Sequence, residues 1–327
     1  MKKLSLTLVA LLLCIAAKAA TSYTVKIVYD GSSATVTIPG EITNYVKNLT
    51  SGTSSHVKLE QTSTSDNNNN PGEIIYILSG TSDNGEFYLI GDFKATLQLD
   101  GVTLTNPDST AIHVKDGKRI KISMVNNTVS TLEDGTKDEE SKGCIHVKGH
   151  TEFVGKGTLN VKSNIRHAIY SKEYIEIKNC TINVMGAKKD GIHCQQYFRM
   201  TSGEVNINGV EDDGIQVELK GETPTAGSDS EDEDTGNFYM TGGTLTINNV
   251  GDKCIETYGK ISYTGGTQNF DLTNTKENDT AINAIPVQTS DVDAIYDLSG
   301  RQVTSEQLSK GIYLIRKAGK TQKVLVK

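Results

Sequence analysis

A small residue followed by isoleucine recurs along this chain: "AIHV" at Ala111, "CIHV" at Cys144, "AIYS" at Ala168, "GIHC" at Gly191, "GIQV" at Gly214 and "CIET" at Cys254. Successive spacings are 33, 24, 23, 23 and 40 residues. The two longest contain polar insertions, TLEDGTKDEESK (131–142) and GETPTAGSDSEDEDTGN (221–237). Without them, one unit of about two dozen residues repeats. A second series holds the same register: GTLNV (157–161), CTINV (180–184), GEVNI (203–207) and GTLTI (243–247). Between the two series lie YIEIK (174–178), YFRMT (197–201) and FYMTG (238–242). Each unit therefore holds about three short strands separated by Gly, Asn or Asp corners.

Strand side chains alternate with period 2, so Ile112, Ile145, Ile169, Ile192, Ile215 and Ile255 form one inward column. Leu159, Ile182, Val205 and Leu245 form another, and Val161, Val184, Ile207 and Ile247 a third. Apolar positions that recur once per unit predict a parallel β-helix, each coil hydrogen-bonded to the next at ~4.8 Å. Scarce proline and β-branched residues alternating with polar ones agree with an all-β chain. Residues 73–273 are assigned to this solenoid, and the alternating strands within 20–72 are expected to cap its N-terminal end, with a loop at 65–72. Beyond Phe270 the repeat fades; 274–290 reads as a linker and 291–327 as a small C-terminal β module.

Lys2 and Lys3, the apolar run Leu4–Ala17 and the Ala17-Lys18-Ala19 pattern identify residues 1–19 as a signal peptide, so the protein is expected to be secreted or held at the outer cell surface. The run is too short and too early for a transmembrane span. Setting aside Lys2, Lys3 and Lys18 takes the net charge from −7 to −10. With no basic cluster, that balance argues against nucleic acid or anionic lipid as partner. Cys144 and Cys254 fall in one column about four coils apart, roughly 19 Å by the strand spacing, beyond the reach of a disulfide. Cys180 takes a corner position and Cys194 an inward one. All four are expected as buried thiols.

The acids before Gly-Ile concentrate the chemistry. Asp190 and Asp213 lie 23 residues apart, hence on adjacent coils, and Glu211, Asp212 and Asp252 share their edge. Calcium takes six to eight oxygen ligands, so this ladder with backbone carbonyls is a candidate calcium site. The alternative is that the aspartates cap their turns and hold no metal. Gly191 and Gly214 are expected to supply backbone angles that other residues resist. The outward column His113, His146, Tyr170, His193, Gln216 and Glu256 forms a stripe along which a glycan can stack and hydrogen-bond, or an ordinary solvated surface. Tyr170, His193 and Gln216, with Lys189 at the acidic edge, are the candidate carbohydrate contacts. Asn160, Asn183 and Asn206 point outward as an amide ladder. Tyr174 and Tyr197 either stack on sugar or cover a corner. A lyase of this shape needs a base beside calcium, and Lys188, Lys189, Arg166 and Arg199 are near enough in sequence, although as solvated charge pairs they need no catalytic role. The run SDSEDED (228–234) lacks the ordered spacing of an EF-hand and reads as a mobile, solvated insertion.

The segments YILSGTSDNGEFYL, LQLDGVTLTNPDSTAIHVKDGKRIKISMVNNTVSTLEDG, GKGTLNV, KKDGIH and EDDGIQV, spanning roughly 73–266, resemble the bacterial carbohydrate-binding β-helix proteins of the pectate-lyase-like group. The resemblance implies a right-handed parallel β-helix, bound calcium and affinity for polysaccharides, including uronate-containing ones, without an assigned lyase activity. Only Asp190-Gly191-Ile192 and Asp212-Asp213-Gly214-Ile215 keep that group's acid-Gly-Ile pattern, which implies fewer or weaker metal sites. IYDLSGRQV, GIYLIRKAGK and the terminal KVLVK resemble the C-terminal sorting domains of exported Bacteroidetes proteins, which implies contact with an outer-membrane secretion machinery. The expected function is non-catalytic binding of acidic polysaccharide with calcium at the coil corners. A calcium-dependent polysaccharide lyase and a structural surface adhesin are the alternatives.

Overall fold

The computed structural model describes residues 23–62, 73–115, 118–137, 141–221, 233–278, 293–297, 299–304, 311–317 and 320–326. The expected signal peptide, the loop at 65–72 and residues 222–232 of the long insertion lie outside them. Among the described residues, apart from one 3-10 turn at Gly40–Ile42, the regular structure is all β.

Three faces alternate along the chain. The first carries Ile74–Ser82, Ala95–Leu99, Ile120–Met124, Thr151–Gly155, Ile175–Ile177, Tyr197–Met200 and the start of Asn237–Val250. The second carries Thr103–Thr105, Val129–Glu133, Thr158–Lys162, Thr181–Val184, Glu204–Val210 and the end of Asn237–Val250. The third runs His56–Gln61, Glu86–Ile90, Ile112–Lys115, Gly143–Val147, His167–Ser171, Ile192–Gln195, Ile215–Glu218, Ile255–Thr257 and Thr275–Glu277. Within each face every strand pairs in parallel with its counterpart one unit away. Ile74–Ser82 and Asn237–Val250 continue past a corner and pair on two faces, which joins the first and second faces into one closed sheet.

The register is the one the repeat dictates. Ile112, Ile145, Ile169, Ile192, Ile215 and Ile255 are successive partners, and all are fully buried. Burying each side chain contributes about 1.5–3 kcal/mol, and a one-residue slip would turn the whole column to solvent. Phe198 and Phe238 stack inside with centroids 5.0 Å apart. At the N-terminal end, Thr24–Asp30 joins the first face in parallel and pairs antiparallel with Ser33–Thr37, while Val46–Asn48 lies antiparallel on His56–Gln61. These antiparallel hairpins end the ladder, as a cap must. Ala294–Asp297, Gln302–Val303, Gly311–Lys317 and Lys320–Val326 form a separate four-stranded antiparallel sheet.

Three boundaries and one cause differ from the sequence expectations. Residues 131–133 belong to the strand Val129–Glu133, and Asp134 and Ser141 are buried, so the polar stretch 131–142 is partly structural. Thr275–Glu277 pairs with Ile255–Thr257, so the stacked units extend past residue 273 into the expected linker. Glu233 and Asp234 of SDSEDED are tied down: Asp234 accepts from the Lys220 and Gly221 amides at 2.8 and 2.9 Å. Gly191 and Gly214 are not among the positive-φ glycines. They are glycine because a Cβ at Gly191 would lie 2.7 Å from the Gly214 carbonyl oxygen and 2.8 Å from Ile207 Cγ2, with the same crowding at Gly214 from Cys254 and Ile247. Cys144, Cys180, Cys194 and Cys254 are buried free thiols, as expected.

Candidate functional site

The outward column of the third face is a continuous stack of rings. Tyr88, His113, His146, Tyr170 and His193 are consecutive partners, followed by Gln216 and Glu256. Ring centroids lie 4.8 Å apart for Tyr88–His113, 4.4 Å for His113–His146, 5.1 Å for His146–Tyr170 and 5.2 Å for Tyr170–His193. Strand spacing brings rings at one register within stacking distance, and each such pair adds stability beyond its buried area.

Over the N-terminal part of this stack opens a cleft of about 700 Å³, floored by Tyr88, His113 and His146. Lys58, Lys115, Lys148 and Lys172 line it, against one carboxylate, Glu86. Lys58 and Lys115 hold their ammonium groups 5.0 and 5.8 Å from the Tyr88 ring centre. Tyr88 and the four lysines escaped the sequence reading. A signal existed, because lysine follows the outward residue by two in HVK (113–115), HVK (146–148) and YSK (170–172).

The acidic edge lies further along the same face. Asp190 is 1% exposed, and its Oδ2 sits 2.9 Å from His193 Nδ1 and 3.1 Å from His167 Nδ1. Only the His193 contact has hydrogen-bond geometry; His167 Nδ1 is buried off the line. Burial alone would raise the Asp190 carboxyl, but the facing His167 and His193 imidazoles outweigh it and hold the group below the usual carboxylate range. Burial lowers His167 to about 4, whereas Asp190 and Glu218 overcome burial at His193 and raise it to about 9. His193 is therefore a covered imidazole locked to Asp190, not the open glycan contact expected of it; its column position points outward, but His167, Tyr170 and Glu218 close around it.

Asp190 and Asp213 also cap backbone, each for the unit that follows. Asp190 Oδ1 accepts from the Asp213 amide at 3.3 Å, and Asp213 Oδ1 from the Lys253 amide at 2.8 Å. Asp134, at another corner, accepts from the Asn164 amide at 2.5 Å and from Ser163 Oγ at 2.6 Å. The expected capping role thus operates between units rather than within one turn.

The carboxylates still cluster. Asp190, Asp212 and Asp213 each place an oxygen within 4.8 Å of the others, and so do Asp213, Asp252 and Glu256. Burial, followed by the charges of Asp190, Glu256 and Asp212, raises Asp213 to about 7 against its Lys253 bond. Burial and neighbouring acids raise Asp212 also. Crowded carboxylates that resist ionising are a donor set suited to a hard divalent cation, and all-oxygen ligation fits calcium. Glu211 stands outside both groups, exposed and paired with Lys188. Glu256, absent from the sequence-derived ligand set, joins through the stacking of its strand on Ile215–Glu218.

The remaining candidates are placed as follows. Tyr170 and Gln216 are half-buried in the column, and Lys189 is exposed beside Asp190. Arg199 pairs with Glu176 at 2.7 Å. Tyr174 and Tyr197 are 2% and 3% exposed and stack at 4.7 Å, so they cover a corner and offer no open platform. Asn183 donates to Asn160 and Asn206 donates to Asn183, both at 2.9 Å, which is the expected amide ladder.

Known proteins share this architecture. A polysaccharide lyase-like protein from C. thermocellum, solved as a gadolinium derivative, superposes with a TM-score of 0.57 at 22% identity, covering 78% of this chain and 99% of that one. At that identity the likeness concerns the fold. A carbohydrate-binding domain-containing protein of Acetivibrio thermocellus is 30% identical over 112 residues, which are 32% of this chain and 39% of the relative, so the match spans about two fifths of that protein's length. Residues 64–312 match the carbohydrate-binding domain-containing protein family, and the chain belongs to that family.

Proposed function

We propose that this protein is an exported, non-catalytic polysaccharide-binding protein built on a right-handed parallel β-helix of the pectate-lyase-like kind. The observation that carries the reading is the stack of Tyr88, His113 and His146 flooring a cleft of about 700 Å³. Sugar rings present apolar C–H faces and polar edges, and a row of half-buried aromatic and imidazole rings flanked by charged groups matches both. Parallel pairing of every unit with the next supports the solenoid, because a strand that returns in parallel at each unit must travel round a closed path between rungs.

Calcium fits the acidic edge. Asp213, Asp212 and Asp252 with Glu256 would hold it, and Asp190 would contribute the oxygen left over from its imidazole contacts. Calcium held there would offset the charge of the crowded carboxylates and supply a cation for a uronate. The basic residues near this edge support binding more than chemistry: Lys188 and Arg199 are spent in ion pairs. The leader-like N-terminus and the separate C-terminal sheet suit delivery to the cell surface through a secretion machinery.

Affinity electrophoresis of the purified protein through gels containing neutral and acidic polysaccharides, with calcium or chelator, tests the proposal. Retardation that weakens in Tyr88→Ala and His146→Ala is expected. An unretarded protein in every gel would refute polysaccharide binding, and release of an unsaturated, ultraviolet-absorbing product would replace it with lyase activity.

A further inference from the structure

Lys115, Lys148 and Lys172 occupy one register position on three consecutive rungs. The Lys148 amide bonds to the Val114 carbonyl at 2.9 Å and the Lys172 amide to Val147 at 3.0 Å, so the three side chains leave the third face one above another. Rung spacing separates their backbones by ~4.8 Å. All three are exposed, and among the described residues none forms an ion pair. Like charges facing each other on neighbouring strands destabilise a sheet, so apart from the Lys115 contact with the Tyr88 ring the row adds repulsion to the fold. Further along the same row the residues become Gln195 and Glu218. The third face is thus divided, with lysines over the Tyr88–His146 rings and carboxylates around Asp213.

Resting on the polysaccharide-binding reading above, we propose that the lysine row binds the acidic groups of a linear polyanionic glycan directly, without calcium, in the cleft over Tyr88, His113 and His146. Carboxylate or sulfate groups would answer Lys115, Lys148 and Lys172 while the sugar faces lie on the rings; Lys58 closes the end over Tyr88. An acidic chain is drawn to this half of the face by charge and repelled from the Asp190–Asp213 half, unless a cation intervenes there. Ligand charge also relieves the repulsion within the row, which gives the cleft a preference for polyanions over neutral chains.

The test compares dextran, dextran sulfate and polygalacturonate as ligands of the whole protein in the presence of chelator, at low and high salt. Retention of dextran sulfate or polygalacturonate in chelator is expected, and whichever is held names the acidic group. Replacing all three lysines in the K115Q/K148Q/K172Q variant should weaken that binding roughly tenfold and flatten its salt dependence, with thermal stability unchanged or higher. The K148R variant, which keeps the charge, should bind as the parent does. Polyanion binding that requires calcium, or equal affinity in the triple variant, would overturn the inference. Retention of dextran alone would do the same yet keep the polysaccharide-binding reading; retention of nothing would end both.

Discussion

Asp190 separates a metal-only role from a structural one, and Asp190→Ala tests the difference. The carboxylate is 1% exposed, faces His193 at 2.9 Å, and accepts from the Asp213 amide at 3.3 Å. Removing one partner of a buried ion pair costs about 3–5 kcal/mol, because the other charge stays buried without compensation. His193 keeps Glu218 at 3.5 Å, which places the expected loss near the lower end, about 3 kcal/mol. The freed Asp213 amide adds about 1 kcal/mol. The pH matters. His193 is raised to about 9, so its contribution is complete below the ordinary histidine value of about 6.5 and fades as pH climbs through 9. Asp190 is depressed, so its contribution is complete above about 4 and is lost only as the solution becomes strongly acidic. Urea unfolding at pH 6 in chelator therefore measures the pair at full strength. Parent and variant should differ by about 3–4 kcal/mol with similar m-values, and Asp190→Asn, which retains an acceptor for the Asp213 amide, should fall between them. A difference under about 1 kcal/mol would refute the reasoning, since an exposed or unneeded carboxylate behaves that way.

Other consequences can be measured the same way. Burial is the main cause that raises Asp134 to about 6, so the folded state holds its proton more tightly than the unfolded state; stability from this group should decline as pH rises from about 4 through 6, by up to about 3 kcal/mol. The Asp134→Asn variant should lack that decline when unfolding is compared at pH 4 and 8. Gly191→Ala should lower stability by about 2 kcal/mol or more in chemical denaturation, because its Cβ meets both the Gly214 carbonyl oxygen of the next unit and the buried Ile207 side chain. Asn183→Ala removes the centre of the amide ladder and should cost about 1–2 kcal/mol, with Asn160 and Asn206 still reachable by water. The four thiols should resist a thiol reagent until the protein unfolds, since burial pushes Cys180 up to about 12 and Cys144 and Cys194 upward as well.

The stacked units were legible in the amino-acid order alone, because a period of 23 residues and a period of two act locally and repeat. Once Ile169, Ile192 and Ile215 occupy equivalent places, only pairing them rung on rung hides all three from water. The same arithmetic put Asp190 beside Asp213 and foretold the Asn160–Asn183–Asn206 ladder. Distances across units of unequal length escaped it. Glu256 reaches Asp213 across the 40-residue gap, whereas His167 lies 23 residues before Asp190, at the spacing that also separates Asp190 from Asp213, and could have been read the same way.

What only the tertiary structure decided is which outward side chains stay in water. Column position marks His113, His146 and His193 as equals, yet the first two are half-buried along a basic cleft while His193 is enclosed by Asp190, Glu218, His167 and Tyr170. The glycines show the same division: the chain order reveals that Gly191 and Gly214 precede the buried isoleucines, but only the approach of Ile207 and Ile247 from another face explains why no side chain fits there. Periodicity determines the rung on which a residue sits and the side to which it points. Exposure and protonation depend on neighbours contributed by other rungs and corners, and those sums of burial and charge exist only once the units are stacked.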